Sequence, residues 1–575
     1  MGEKEEKKVG SQPIYKMKSE YDVYVKMRDG VRLCVDVYRP AAEGKFPALL
    51  GMSAFGKTIQ VRLWDKSIVA EAGDPNYLVP RGYAHVVADV RGSCQSEGEL
   101  HCIHSKQEQE DGYDLVEWIA QQPWCDGNVG MVGPSYYGLM QMLVAAQQPP
   151  HLKAIFAYDS PGDWYREGAY EGGILSDFFI NVASKYPIRK FVPAIAKEKT
   201  PEELDRIIKE RENNPEIKSN SRFLNILKNR WLNPVFFDLL MHPTDGPFYW
   251  ERSPYTKYDK IKIPVYTGSG WYGYTITHLT GAFRNYAGVK GPKKMIISGP
   301  YFRGIDHPFA LSWREYHDLL IRWYDYWLKG IDTKIMDEPP IKIFVMGMNQ
   351  FRYENEWPLA RTAWTKVYLR PMGRLSDQPE TVMDEPHCFV QMPPRMTNMM
   401  QSLKYTSAPL AQPIEVTGPI ALYLYASIDQ EDTNWIVALK DVYPDGSTIE
   451  LTRGWLKASR RALDPEKSKP WLPHHTHVDP EPVTPGKIYE YAIEIRPTSN
   501  VFAAGHSIQL EICSIDFPPP IYITERGAQT YHLACSNTVL HKIYCNEEYQ
   551  SHLLLPIIPH TDPSQWITRR KTGEV

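Results

Sequence analysis

The sequence lacks the features that would place it in several large classes of protein. No apolar run in its 575 residues is long enough to cross a bilayer, and none of its eight cysteines forms a CxxC pair. A complete dinucleotide-binding fingerprint, with its following acidic residue, is also missing. These absences argue against an integral membrane protein and a dinucleotide-dependent enzyme. We therefore predict no membrane association, no cofactor and no metal.

An excess of charge of either sign is lacking as well. Lys and Arg total 65 and Asp and Glu total 69, which gives a formal net charge of -4. Such a balance offers no general attraction to nucleic acid, so we predict no nucleic-acid partner. The first residues, MGEKEEKKVGSQ, carry charges of both signs and no apolar core, which argues against a secretory signal. With cysteines expected to be reduced, these features predict a cytoplasmic protein.

The first 160 residues alternate between predicted strands and helices. Short apolar runs are typical of buried parallel strands, and the run EQEDGYDLVEWIAQQPW has the spacing of a helix. Strands are predicted here at FPALLGM, YAHVVADV, NVGMVG and LKAIFAYD, and two more follow the helical region, KIPVYTGSGW at 262–271 and KKMIISGP at 293–300. This order predicts an α/β protein with a parallel sheet covered by helices.

The remaining chain divides into a helical insert and a β-rich region. Residues 160–255 are charged and helical in period, whereas the chain from 341 onward shows strands with period two between Gly, Pro and Asp turns. We predict an α/β domain with a parallel sheet in two segments, 1–159 and 256–340, with a helical insert at 160–255. Residues 341–575 are predicted to form an all-β jelly-roll sandwich.

A candidate nucleophile lies in the stretch VGPSYYGLMQ, between a predicted strand and a predicted helix. Ser135 is flanked by Gly133 and Gly138. This arrangement is similar to the nucleophile elbow, a strained turn that needs small neighbours and presents a serine hydroxyl above the sheet. The same turn directs the next backbone N–H, that of Tyr136, toward a developing oxyanion. The alternative is an ordinary tight turn with a solvated serine.

The chain resembles the cocaine esterase/glutaryl-acylase group (CocE/NonD hydrolases) of the X-prolyl dipeptidyl-peptidase superfamily. The resemblance covers nearly the whole chain, and its motifs are MRDGVRLCVDVYRP, ADVRGSCQSEGEL, EWIAQQPWCDGNVGMVGPSYYG, QPPHLKAIFAYDSPGDWYREG, MHPTDGPFYWERSP, IPVYTGSGW, IKIFVMG, LKDVYPDGSTIELTRGWLKASRR and PTSNVFAAGHSIQLEI. It implies an α/β-hydrolase domain, a helical cap and a C-terminal jelly roll. It leaves the oligomeric state open, with a homodimer as one expectation.

Three of the four functional positions that the resemblance implies are altered here. The family acid follows a Gly-Trp strand end, where this chain has Gly273. The family histidine position holds Phe302 or Arg303. The tyrosine that supplies an oxyanion donor in the family is replaced by Phe55. Only Ser135 matches, so its hydroxyl needs a base from elsewhere.

One hypothesis is a rebuilt triad. His307 lies four residues beyond Arg303 and is the first candidate for the base, with Asp159 as the acid at the end of the strand that follows the nucleophile helix. His278 and His85 are further candidates for the base. On this hypothesis the protein is a serine-dependent hydrolase or acyl-transfer enzyme acting on an ester or amide of a small hydrophobic acyl group.

The alternative hypothesis is a non-hydrolytic enzyme, such as a cyclase, lyase or transferase, or a ligand-binding protein on the same scaffold. Its pocket would be lined by aromatic side chains suited to a hydrophobic small molecule. The candidates are Phe55, Tyr136, Trp164, Tyr165, Trp271, Tyr272 and Tyr274. Arg303 would then bind a carboxylate or phosphate of the ligand.

Overall fold

The computed structural model describes residues 10–62, 71–183, 187–271, 276–300, 311–516, 531–559 and 566–567. The chain forms two compact units. The first comprises residues 1–163, 182–198 and 250–342, and the second comprises 164–181, 199–249 and 343–575.

The strands of the described chain follow one another in this order: β1 (Met17–Lys26), β2 (Arg32–Pro40), β3 (Phe46–Ser53), β4 (Ala84–Asp89), β5 (Cys125–Met131), β6 (Leu152–Tyr158), β7 (Tyr170–Glu171), β8 (Ile174–Leu175), β9 (Val265–Gly270), β10 (Lys293–Ser298), β11 (Ile341–Val345), β12 (Gln350–Glu354), β13 (Ala363–Arg370), β14 (Arg374–Ser376), β15 (His387–Gln391), β16 (Ser402–Ser407), β17 (Ile414–Ile428), β18 (Asn434–Val442), β19 (Thr448–Lys457), β20 (Tyr489–Phe502), β21 (Ser507–Cys513), β22 (Val539–Tyr544), β23 (His552–Ile558) and β24 (Trp566–Ile567).

The α-helices are α1 (Pro75–Leu78), α2 (Lys106–Ala120), α3 (Tyr136–Ala146), α4 (Phe178–Ala183), α5 (Ile195–Glu198), α6 (Pro201–Asn213), α7 (Pro215–Ser219), α8 (Ser221–Lys228), α9 (Pro234–Met241), α10 (Pro247–Glu251), α11 (Ile276–Gly288) and α12 (Trp313–Lys329). Among the helices described, none has both the length and the apolar character required to cross a membrane.

The first unit is built on one sheet with the strand order β1-β2-β4-β3-β5-β6-β9-β10. The strands from β4 to β10 in this order are parallel, β2 is antiparallel to β4, and β1 is antiparallel to β2. Strands β3 and β4 are buried along their whole length, as their continuous apolar runs predicted. The carboxyl ends of these parallel strands lie at one edge of the sheet, where α/β proteins place their active sites.

Strand β1 forms one border of this sheet. It is ten residues long and pairs only with β2 in the described sheet, with a bulge between Glu20 and Val23. Its charged side chains Lys18, Glu20 and Lys26 are exposed.

Local sequence signals set the helix ends of the first unit. Ser105 and Glu108 form a capping box at the start of α2, because the serine hydroxyl accepts the Glu108 N–H and the glutamate accepts the Ser105 N–H. Ser312 and Glu315 do the same for α12, which ends at Gly330 with a φ of 67°. The apolar face of α12 packs into the core with Leu320 and Trp323 fully buried.

The second unit contains helices α6 to α9 and a large β-sheet. Strand β17 pairs with β20 on one side and with both β22 and β23 on the other. The strand order β17-β20-β19-β18-β21-β16-β14-β13-β23 therefore returns to β17, and the sheet closes on itself. The prediction of an all-β C-terminal region is confirmed. The two sheets expected of a sandwich are joined into one closed sheet by the pairing of β17 with β23.

A buried charged network lies within the second unit. His532 is 7% exposed, its Nε2 lies 2.6 Å from Glu171 Oε2, and its Nδ1 lies 2.7 Å from Asp516 Oδ2. Arg496 also pairs with Glu171. Because both ring nitrogens face carboxylates, both must donate and the imidazole is a cation. Burial alone would lower the pKa of His532, but Asp516 and Glu171 outweigh burial and raise it to about 9.

We expect this network to make the second unit less stable in mild alkali. The pKa of His532 in the folded protein lies above the unfolded value of 6.5. The stability that the protonated histidine contributes is therefore fully present below about pH 6.5 and is lost as pH rises through about 9. The loss should be on the order of 3 kcal/mol. Calorimetry between pH 6.5 and 9 would measure it, with His532→Gln as the variant in which this pH dependence should disappear. An unchanged slope in that variant would contradict the assignment.

Candidate active site

Ser135 occupies a strained turn between β5 and α3. Its φ is 61° and its ψ is −119°, a conformation that non-glycine residues rarely adopt. Its N–H donates to the Tyr158 carbonyl at the end of β6 (3.1 Å). Although Ser135 stands at the N-cap position of α3, its hydroxyl makes no capping bond with that helix. A serine held in this way has the geometry of a nucleophile elbow rather than of an ordinary helix cap.

The two flanking glycines are required by close packing. A Cβ atom on Gly133, whose φ is +115°, would lie 2.5 Å from the Glu71 carbonyl oxygen. A Cβ atom on Gly138 would lie 2.4 Å from the Tyr158 carbonyl oxygen, the same oxygen that accepts the Ser135 N–H. Gly138 thus lets α3 approach the end of β6, which explains why the second glycine of the motif is needed at this spacing.

Replacing Gly138 with alanine should therefore push α3 away from β6 and disturb the turn. We expect a loss of about 1–3 kcal/mol in stability and a marked fall in the reactivity of Ser135 toward a serine-directed probe. Gly246→Ala is the matched control, because a Cβ at Gly246 meets no atom within 4 Å. Native reactivity in Gly138→Ala would show that the close contact is not needed.

A histidine, His278, lies beside Ser135. Its Nε2 lies 3.2 Å from Ser135 Oγ, and the side chain is 3% exposed. His278 stands in the first turn of α11, the helix that follows β9. Nε2 is therefore placed to accept the proton of the Ser135 hydroxyl. The sequence named His278 only as a further candidate, behind His307.

Asp159 lies close to the elbow but has a different partner from the one predicted. It follows β6 with a φ of 49°, and its Oδ1 accepts a hydrogen bond from Ser269 Oγ at 2.6 Å. Burial raises the pKa of Asp159 to about 7, against the opposite effect of the Ser269 hydroxyl. In the part of the chain that the structure describes, no hydrogen bond or ion pair joins Asp159 to His278.

The other residues predicted for the site have separate locations. His85 is buried in β4, where its Nε2 lies 2.8 Å from the Ala72 carbonyl oxygen, and burial lowers its pKa to about 4. Trp271 is 1% exposed and packs near Phe283. Trp164 belongs to the second unit and is equally buried. The following predicted positions lie outside the described residues: Tyr272, Gly273, Tyr274, Phe302, Arg303 and His307.

The side chains beside the expected oxyanion position are aromatic and well packed. Tyr136 is the first residue of α3 and directly follows Ser135, so its backbone N–H lies at the N-terminus of that helix. Phe55 is half-buried, and its ring centre lies 5.8 Å from that of Tyr136. The Tyr136 hydroxyl donates to Glu108 Oε1 at 2.5 Å. Burial raises the pKa of Glu108 to about 7.

Glu108 is a residue that the sequence interpretation passed over. The signal was present, because Ser105-Lys-Gln-Glu108 has the spacing of a capping box, but a capping box does not show what else its glutamate contacts.

The sequence was predicted to contain no phosphate-binding loop, but the stretch from Gly51 to Thr58 does fit the spacing of a nucleotide-binding P-loop. The lysine of this motif, Lys57, is 1% exposed, and its Nζ pairs with Asp22 at 2.6 Å and Asp36 at 2.7 Å. An ammonium group held inside the protein by two carboxylates is not placed to bind a phosphate. Across the described residues, no group of three or more His, Cys, Asp or Glu is arranged to hold a metal ion.

Comparison with known proteins identifies two matching domains. Residues 29–300 match the family described as X-Pro dipeptidyl-peptidase (S15 family). Residues 333–554 match the X-Pro dipeptidyl-peptidase C-terminal non-catalytic domain.

Individual relatives extend over nearly the whole chain. Cocaine esterase of Rhodococcus sp. (strain MB1 Bresler) is 28% identical over 594 residues, covering 93% of this chain and 98% of that protein. A CocE/NonD family hydrolase from Staphylococcus aureus has the same fold, with a TM-score of 0.75, 24% identity and 94% coverage of each chain. An alpha-amino acid ester hydrolase gives a TM-score of 0.72 at 19% identity, covering 94% and 96%. The chain therefore belongs to the CocE/NonD hydrolases of the X-Pro dipeptidyl-peptidase (S15) superfamily, with an α/β-hydrolase domain and a β-rich C-terminal domain.

Proposed function

We propose that the protein is a serine-dependent hydrolase or acyl-transfer enzyme in which Ser135 is the nucleophile and His278 is the base. The observation that carries this proposal is the 3.2 Å contact between Ser135 Oγ and His278 Nε2 at a strained elbow. A serine hydroxyl is a weak nucleophile unless a neighbouring base takes its proton. His307, the base expected from the sequence, remains the alternative that the same experiments test.

The reaction would follow the order of acyl transfer. Ser135 Oγ attacks the substrate carbonyl while His278 Nε2 takes the hydroxyl proton, and the Tyr136 N–H donates to the resulting oxyanion. His278 then gives the proton to the leaving alcohol or amine, which departs and leaves an acyl-serine. Water, or another acceptor in a transfer reaction, attacks the acyl-serine with His278 again as the base.

We infer that the substrate is a small-molecule ester or amide with a hydrophobic acyl group. Support comes from the half-buried ring of Phe55 beside Tyr136, next to the nucleophile. The relatives are an esterase, an ester hydrolase and a peptidase family, so ester and amide carbonyls both fit the scaffold. Residues 160–255 are proposed as a helical cap, which is supported by the short helices α6 to α9.

A fluorophosphonate probe tests the proposal directly, because it labels only activated serines. We expect the native protein to be labelled and Ser135→Ala to remain unlabelled. A panel of short- and medium-chain acyl esters and amides, assayed in parallel, would then give the preferred acyl group. Labelling of Ser135→Ala at the native level would show that the probe reacts elsewhere.

A folded native protein that neither labels nor hydrolyses any ester or amide would contradict the proposal. That result would favour the alternative of a non-hydrolytic enzyme or ligand-binding protein.

A further inference from the structure

The residue after the nucleophile is anchored by its side chain as well as by its backbone. The Tyr136 ring is buried, and its hydroxyl donates to Glu108 Oε1 at 2.5 Å. The backbone N–H of the same residue is the oxyanion donor in the proposed reaction. The position of that N–H therefore depends on where the side chain is held.

Glu108 is bound at both of its carboxylate oxygens. Oε1 accepts from Tyr136, and Oε2 accepts the Ser105 N–H at 3.0 Å as part of the capping box of α2. The Glu108 side chain is fully buried, which removes competition from water for these bonds. One carboxylate thus ties the start of α2 to the start of α3.

The Tyr136 ring is also fixed on its faces. The His104 ring centre lies 4.1 Å from it, and the Phe55 ring meets it edge to face at 5.8 Å. The loop that carries His104 is itself held, because the Arg252 guanidinium donates to the carbonyls of His101 and Ile103, each at 3.2 Å. All of these residues belong to the first unit.

We propose that Glu108 and the side chain of Tyr136 are positioning residues that fix the oxyanion donor. This inference rests on the proposed function. Oxyanion donors act only when held within a few tenths of an ångström of the position that the charge will occupy. Phe55 carries no hydroxyl with which to share that charge, so the placement of the Tyr136 N–H matters more here than it would beside a tyrosine at position 55.

Tyr136→Phe and Glu108→Ala test the inference in the full-length protein, with the ester preferred in the panel. We expect kcat, divided by the number of serines titrated by the fluorophosphonate probe, to fall by about 10–100-fold in each. KM should stay within about threefold, because the substrate ground state gains little from the oxyanion donor. Glu108→Gln keeps an acceptor oxygen and should lose less than Glu108→Ala.

Affinity for a boronic acid that mimics the tetrahedral intermediate should fall by the same factor as kcat. A merely structural role would reduce the number of titrated serines without changing either quantity per active site. Ser105→Ala is the matched control, because it opens the same capping box from the other side and leaves the Glu108–Tyr136 contact in place. It should lower the melting temperature and keep the native kcat per titrated serine.

The outcomes separate this inference from the proposed function. An active native protein, with native kcat per titrated serine in Tyr136→Phe, would overturn the inference and leave the proposed function standing. Tyr136→Phe removes a single oxygen atom, so it decides the matter even if Glu108→Ala fails to fold. A native protein without labelling or hydrolysis would overturn both.

Discussion

Replacing His278 with alanine should lower kcat for ester hydrolysis by about 10⁴–10⁶-fold, the range seen when the base of a serine nucleophile is removed. The reason is the 3.2 Å contact between its Nε2 and Ser135 Oγ, since among the described histidines it is the one placed to take the hydroxyl proton. Steady-state kinetics would measure the loss, and fluorophosphonate labelling should fall with it. KM should change much less than kcat.

Two variants make this result interpretable. His151 lies on the surface of the same unit and pairs with Glu117, so His151→Ala should keep the native kcat. His307→Ala tests the base that the sequence placed first. Full activity in His278→Ala together with an inactive His307→Ala would reverse the assignment and make His307 the base.

Replacing Phe55 with tyrosine should raise kcat, by up to about 10²–10³-fold, the amount that a single oxyanion donor is worth. The family resemblance puts a tyrosine hydroxyl at this position, and the structure places the Phe55 ring against Tyr136, whose N–H is the proposed donor. Phe55 is half-buried beside Tyr136, so one added oxygen at its ring tip need not disturb the core. The measurement is kcat on the preferred ester, with affinity for a boronic acid as a second reading.

Phe55→Leu is the control for this gain, because it changes the packing against Tyr136 and Tyr137 without adding a donor. It should not raise kcat. A Phe55→Tyr variant with kcat equal to or below the native value would show that position 55 does not face the oxyanion. In that case the native chain would differ from the family at the oxyanion hole by more than the missing hydroxyl at position 55.

The sequence predicted the elements of the first unit closely, because each carries a local signal. The apolar run FPALLGM became β3, and the helix predicted from residue 108 begins at Lys106, where the capping box lies. The elbow at Ser135 was predicted in the same way, since a strand, a small-residue turn and an apolar helix follow one another directly. Local patterns of this kind do not depend on distant parts of the chain.

The base and the support behind the nucleophile could not be predicted so well. Which histidine meets Ser135 depends on where α11 begins relative to α3, 143 residues away along the chain. The bond between Glu108 and Tyr136 likewise joins the starts of two helices, and neither sequence window contains the other residue. The closure of the second sheet is a third example, because β17 has to pair with β23 across more than 120 residues of chain.

The bulge in β1 protects this edge strand against the addition of a strand from another molecule. A border strand of ten residues would ordinarily be a template on which a second molecule could add a strand and begin to aggregate. Here the register shift between Glu20 and Val23 interrupts the row of backbone donors, and the exposed charges of Lys18 and Lys26 repel an identical strand laid in parallel register. Addition of a second copy's strand at this border is therefore disfavoured.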